Sequence, residues 1–187
     1  MKEQLKIKDL VLVAAFAVLG VMMMYLLPMP FIFSPYTILI SPIFQALFLS
    51  IPFFLVATKV NKKWALFIYC LIWGLGGMMP YYIAVMVLAG LIAEYLRNKQ
   101  DLSRYNSLSI SFAIAMLMHY VGGTIIPYLL TKGAEFEMIK QMYGEDYALK
   151  MQSLKTIPFM IMVTIAVVVC SFVGSYLAKK LLKKHFS

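Results

Sequence analysis

"LSISFAIAMLMHYVGGTIIPYLL", residues 108 to 130, runs for 23 residues without Asp, Glu, Lys or Arg. A helix needs roughly 17 to 25 predominantly apolar residues to cross the hydrocarbon core of a bilayer. The run therefore reads as a membrane span, with the titratable His119 as its one anomaly. The rest of the chain agrees: of 187 residues, 63% are hydrophobic and 13% charged, with a mean hydropathy of +0.85. These values exclude an ordinary soluble domain.

Five more runs qualify, at Asp9 to Leu27, Tyr36 to Ala57, Trp64 to Met79, Tyr81 to Leu96 and Ile157 to Ala178. The expectation is an all-α polytopic membrane protein with six transmembrane helices in a single domain covering residues 1–187. Pro80 divides the third and fourth runs, and the fourth has the weakest claim to span. Two readings stand there, a hairpin of two helices or one helix from Trp64 to Leu96 kinked at Pro80. Charge favours the hairpin, because Lys59, Lys62 and Lys63 precede the pair and Arg97, Lys99 and Arg104 follow it.

Charge also orients the chain. With Lys2, Lys6 and Lys8 at the start and Lys179, Lys180, Lys183 and Lys184 at the end, 13 of the 17 basic residues fall on one side of a six-span bundle. The other four, Lys132, Lys140, Lys150 and Lys155, share the fifth loop with Glu135, Glu137, Glu145 and Asp146. The positive-inside rule then predicts that both termini are cytoplasmic. The net charge of +9 is a topological signal that also suits an anionic lipid bilayer, so no nucleic acid is expected. A cleavable signal peptide is not expected either, since the first run is long enough to span and lacks a small-x-small exit. Cys70 and Cys170 lie within apolar runs without metal or redox spacing and read as small core residues.

Several chemistries lack their motifs. The sequence has no G-x-x-x-x-G-K-[ST] phosphate loop, no H-E-x-x-H pair and no G-x-S-x-G turn. No charged residue lies well inside a run, Glu94 being near the end of its own, which disfavours an ion-gradient transporter. His119 has no nucleophile or carboxylate as a helical neighbour. Neither an enzyme nor a cofactor or metal site is expected.

The loops at the outer side, which has no basic excess, point to ligand handling. "PMPFIFSPY", residues 28 to 36, has three prolines and three aromatics and no charge; it reads as an interfacial segment or as a lid on an apolar pocket. The fifth loop is long enough to be functional, and Gly144 divides it into two helix-permissive pieces. "WGLGG", residues 73 to 77, and "HYVGG", residues 119 to 123, echo one another. Each places a ring three and four positions ahead of a Gly pair, on one helical face. Since a helical glycine costs about 1 kcal/mol against alanine, something approaches these backbones closely, either another helix or a ligand. His119 is correspondingly a structural residue bonded to a neighbouring helix or the floor of a pocket. Ala166, Cys170, Gly174 and Ala178 form a second small-residue stripe for helix packing. The candidate substrate-binding residues are Gln45, Trp73, Tyr81, Tyr82, His119, Tyr120 and Tyr128, a set suited to a planar, mostly neutral molecule.

"KIKDLVLVAAFAVL", "SIPFFLVATKVNKKWALFIYCLIWGL", "MYGEDYALKMQSL" and "GSYLAKKLLKKHF" together resemble the Trep_Strep family of bacterial integral membrane proteins over nearly the whole chain. That family looks like substrate-capture (S) components of energy-coupling factor (ECF) transporters. The resemblance implies a bacterial cell-membrane protein that binds a vitamin-like small molecule near the outer face. It would dock on a transmembrane coupling subunit served by two ATPase subunits and topple in the membrane when ATP is turned over. S components commonly dock through an Ala-x-x-x-Ala surface on the first helix; here "AAFAVLG" supplies Ala14, Ala15, Ala17 and Gly20 at a different spacing. The alternative is a stand-alone membrane protein of lipid-handling or assembly type, without transport activity.

Overall fold

The computed structural model describes residues 4–98 and 104–182. Among the described residues the chain is helical throughout, without strands. The helices are α1 (Ile7–Leu26), α2 (Pro35–Phe48), α3 (Ser50–Lys59), α4 (Ala65–Gly76), α5 (Pro80–Asn98), α6 (Arg104–Tyr120), α7 (Ile126–Leu130), α8 (Lys132–Tyr143), α9 (Glu145–Leu154) and α10 (Ile157–Leu181). A 3-10 turn, Met29–Phe31, follows α1, and a π-helical turn, Val121–Ile125, joins α6 to α7.

Local sequence accounts for the breaks. Ser34 Oγ accepts from the Tyr36 N–H at 3.3 Å ahead of Pro35, the first residue of α2. Pro52 has no N–H for the carbonyl of Phe48, so α2 and α3 form one long apolar stretch bent at Leu49. Between α8 and α9, Gly144 has φ +92, a conformation that favours glycine. The division of the fifth loop at Gly144 is thus as the sequence predicts.

Five stretches are long and apolar enough to cross a membrane: residues 7–31, 35–59, 80–98, 104–130 and 157–181. The hairpin reading holds at Pro80, with Met78 at φ +59 making the turn. The relative strength of its two arms is reversed, however. α5 is a full 19 residues, whereas α4 has 12. At 1.5 Å per residue α4 is about 18 Å long, short of a core of about 30 Å. The weak arm is the third run, not the fourth.

The described basic residues of the two tails and of the α3–α4 and α5–α6 connections gather at one end, held by specific contacts. Lys62 Nζ meets Asp9 Oδ2 at 2.8 Å. Arg97 pairs with Glu94 at 2.5 Å and reaches the carbonyl of Val60 at 3.4 Å. Arg104 reaches the Ala57 carbonyl at 3.3 Å, and Lys179 lies 4.2 Å above the Tyr105 ring. The start of α1, the α3–α4 loop, the end of α5, the start of α6 and the end of α10 therefore converge. Lys2, Lys99, Lys183 and Lys184 lie outside the described residues.

Close helix crossings use small residues. A β-carbon on Gly90 would lie 3.1 Å from the Phe67 Cα, and one on Gly174 would overlap the carbonyls of Ala46 and Leu47. Gly174 and Ala178 of the last-helix stripe are buried, so its lower half packs internally. At the centre, rings form a column: Phe112 on Phe53 (5.4 Å between centroids), Phe53 on Tyr69 (5.7 Å), Tyr69 on Trp73 (5.8 Å) and Trp73 on His119 (5.3 Å). The outward faces of α1 and α10 carry exposed apolar side chains such as Val11 and Ile165, as lipid contact requires.

Candidate functional site

The end away from the basic cluster holds a cavity of about 530 Å³ whose floor includes Met24, Tyr82 and His119. A second cavity of about 260 Å³ adjoins it, and both are lined by His119, Gly123 and Glu135. A cavity of the larger size suits a small organic molecule.

His119 sits at the junction because of how α6 ends. Gly122 and Gly123 permit the chain to widen into the π turn, in which the Ile126 N–H bonds the Val121 carbonyl, and Pro127 has no N–H to restore the α-helical register. Such a turn leaves backbone groups without helical partners and is frequent at functional sites.

The floor is one hydrogen-bonded chain. Gln45 Nε2 donates to the Met24 carbonyl at 2.8 Å, which turns Gln45 Oε1 toward His119 Nε2 at 3.1 Å. His119 Nε2 must then donate. Its Nδ1 lies 2.5 Å from the Tyr82 hydroxyl. No carboxylate pairs with the ring among the described residues, and an unpaired imidazolium is costly to bury. The ring is accordingly neutral, and Tyr82 donates to Nδ1. Beneath it, Trp73 Nε1 donates to Met24 Sδ at 3.0 Å. Five helices, α1, α2, α4, α5 and α6, thus share one polar knot.

Gly77 of the first pair and both glycines of the second face one object, while Gly76 faces Val21 of α1. A β-carbon on Gly77 would overlap Cδ1 of Tyr82, one on Gly122 would lie 2.9 Å from Cδ2 of that ring, and one on Gly123 would lie 3.8 Å from Cε2. What approaches these backbones is a neighbouring helix, through the Tyr82 ring of α5 and, at Gly76, through Val21 of α1, as the helix-packing reading expects. Gly74, by contrast, serves helix packing, since its β-carbon would lie 3.3 Å from the Ile83 Cα.

Of the residues singled out from the sequence, Gln45, Trp73, Tyr82 and His119 come together in this knot. Tyr81 and Tyr82 line the large cavity, and Gln45 and Tyr120 line the second. Trp73 is fully buried behind Met24 and lines neither. Tyr128 faces a small crevice between α8 and α9. On α1, Ala17 and Gly20 turn inward, a β-carbon on Gly20 lying 2.6 Å from Tyr69 Oη; Ala14 is half-buried and Ala15 exposed.

Three contributors are absent from the sequence reading: Met24, Glu135 and Lys155. Lys155 Nζ pairs with Glu135 Oε1 across the α8–α9 fold, and Lys155 is only 5% exposed. Their signal was available, because a chain folded back at Gly144 brings nearly equidistant positions together. The fold is seated on the bundle by Tyr147, whose hydroxyl donates to the Ile32 carbonyl at 2.9 Å, and the first loop is anchored by Phe31 stacked on Phe44 at 4.7 Å. Among the described residues no group of three or more His, Cys, Asp or Glu could hold a metal ion.

The sequence profile of one family matches residues 7–187, almost the full length. The chain belongs to the Trep_Strep family. That family is described as hypothetical bacterial integral membrane proteins, which agrees with the long apolar helices and makes this a bacterial multi-pass membrane protein. No curated protein and no solved structure matches the Trep_Strep chain.

Proposed function

We propose that the chain is the substrate-capture S component of an ECF-type ATP-driven importer, binding a vitamin-like small molecule in the cavity above His119. The observation that carries the reading is that the cavity ends on a closed floor. Below it lie the hydrogen-bonded knot and the fully buried column of Trp73, Tyr69 and Phe53. Such a vessel holds a molecule but offers it no passage. Release to the other side then requires movement of the whole subunit, driven by partners.

The chain's own chemistry is compatible with such a division of labour. Its lack of a phosphate-binding loop fits the partners that the S-component resemblance implies, two ATPase subunits acting through a transmembrane coupling subunit. Under the positive-inside rule the basic end is cytoplasmic and the cavity faces outward. The role assigned to His119, Tyr82 and Gln45 is binding rather than catalysis.

Affinity purification of the tagged chain from its native bacterial membrane, in mild detergent, tests this. ATP-hydrolysing subunits and a larger membrane subunit should co-purify, and mass spectrometry should find a small molecule released on denaturation. Purified alone, the chain should show no ATPase activity. Accumulation of a substrate by the isolated chain in sealed vesicles would overturn the reading.

A further inference from the structure

The large cavity is unequal in what it offers a guest. Its donors are nearly all committed to the protein: Tyr82 to His119 at 2.5 Å, His119 Nε2–H to Gln45 at 3.1 Å, Tyr25 to the Gly76 carbonyl at 2.7 Å and Thr131 to the Pro127 carbonyl at 3.0 Å. The Tyr81 hydroxyl, without a bond among the described residues, can accept as well as donate.

Its acceptors are open. Glu135 lines the cavity and gives one oxygen, Oε1, to Lys155; Oε2 takes no bond among the described residues. The carbonyl of Gly122 has lost both helical donors, because the Ile126 N–H goes to Val121 and Pro127 has none. Met79 and Met138 contribute sulfurs, and Tyr81 and Tyr82 contribute rings. Among the residues whose side chains are described, which leave out Lys132, neither lysine nor arginine lines this cavity; Lys155 lines the neighbouring one.

We propose that the large cavity selects a small organic molecule carrying a protonated amine on an apolar body. The ammonium sits at Glu135 Oε2, a charge-assisted contact, with the body against the faces of Tyr81 and Tyr82, where a cation is also favoured. A carboxylate in the same place would meet Glu135 as a like charge. The net charge of +9 opposes amine binding at long range, so a preference for the amine cannot arise from the protein's overall field.

This inference rests on the cavity being a ligand site, and its test is separate from that of partner docking. Phenethylamine, phenethyl alcohol and phenylpropionate share one apolar body and differ in charge. Their affinities are measured at neutral pH for the purified protein in nanodiscs of uncharged lipid, by intrinsic tryptophan fluorescence and by the shift in Tm. The amine should bind at least tenfold more tightly than the alcohol, with the carboxylate weakest. In Glu135→Gln the amine should lose that advantage. The ranking on the unaltered protein stands without the variant, should the variant fold poorly. A tighter carboxylate, an amine preference that survives Glu135→Gln, or no binding of any probe at millimolar concentration overturns the proposal. Co-purified ATPases alongside a tighter carboxylate would leave the importer reading standing and remove only the amine preference.

Discussion

Gly77 and Gly122 face the two edges of one ring. A β-carbon on Gly77 would overlap Cδ1 of Tyr82, and one on Gly122 would come within 2.9 Å of Cδ2. The ring cannot retreat from either glycine without pressing on the other, and its hydroxyl is tied to His119. Gly77→Ala and Gly122→Ala should each lower stability by about 1 to 3 kcal/mol, the usual cost of overpacking. Gly123→Ala meets only ordinary contact at 3.8 Å and should be nearly neutral. Thermal unfolding in detergent checks this, and equal Tm values for the three variants would contradict the clamp.

His119 and Tyr82 should be coupled energetically. His119→Ala strands Gln45 Oε1 and leaves the Tyr82 hydroxyl only the weak acceptor Met24 Sδ at 3.4 Å, and an unsatisfied buried polar group costs about 1 to 3 kcal/mol. Tyr82→Phe strands Nδ1 alone. A double-mutant cycle on unfolding should return a coupling of about 1 kcal/mol or more. Strict additivity would mean that the short contact carries no energy.

Periodicity and charge made much of this legible. The apolar runs became helices because no other structure satisfies the backbone in lipid, and Gly144 and Pro80 broke the chain where their backbone chemistry requires. His119 stood out because a buried imidazole must find partners. The partners themselves were not legible. Gln45 reaches His119 across 74 residues of sequence and Trp73 reaches Met24 across 49, and a single chain carries no local trace of such pairings. The Gly pairs announced a close approach without saying that one ring would meet Gly77, Gly122 and Gly123 while Val21 meets Gly76. Lys155 and Glu135 read as solvated loop charges because their burial depends on how α8 and α9 fold over the bundle. The length of α4 misled in the other direction: Gly76 and Gly77 are apolar enough to prolong the run, yet the helix ends there.

The contacts that gather the basic residues of the tails and of the α3–α4 and α5–α6 connections at one end, taken with the positive-inside rule, predict that this end is cytoplasmic. Single cysteines at Ser34 and Asp146 should react with an impermeant maleimide added outside intact cells, and one at Asn61 should not. Ser103, on the same side as Asn61 by the charge argument, lies outside the described residues. Native Cys70 is buried and Cys170 half-buried, so background labelling is low. Reaction at Asn61 would invert the bundle and turn the cavity to the cytoplasm.

Ala15 and Ala17 separate docking from folding. Ala15 is exposed on α1, whereas Ala17 is fully buried. Ala15→Trp should leave Tm and probe binding in place while reducing recovery of the ATPase partners. Ala17→Trp should destabilise the bundle itself, because a large side chain has no space there. If Ala15→Trp recovers partners normally, the first helix is not the docking face.

The α8–α9 fold closes over the cavities through two ties of different kinds. Tyr147 gives one neutral hydrogen bond to the Ile32 carbonyl, worth about 1 kcal/mol. Lys155 gives a largely buried ion pair to Glu135, whose side chain is 17% exposed. Removing one partner of a buried pair leaves an uncompensated charge, at a cost of about 3 kcal/mol or more. Replacing both removes the charge altogether. Lys155→Met should therefore speed hydrogen exchange across residues 132–154 far more than Tyr147→Phe does, and Glu135→Gln with Lys155→Met should recover much of the loss. Exchange in α5 and α6 should stay unchanged, because α6 packs through the aromatic column and α5 through the Gly74 and Gly90 crossings with α4 rather than through the cap. If Lys155→Met instead raised exchange throughout the bundle, the pair would be holding the whole fold together rather than the cover of its cavity.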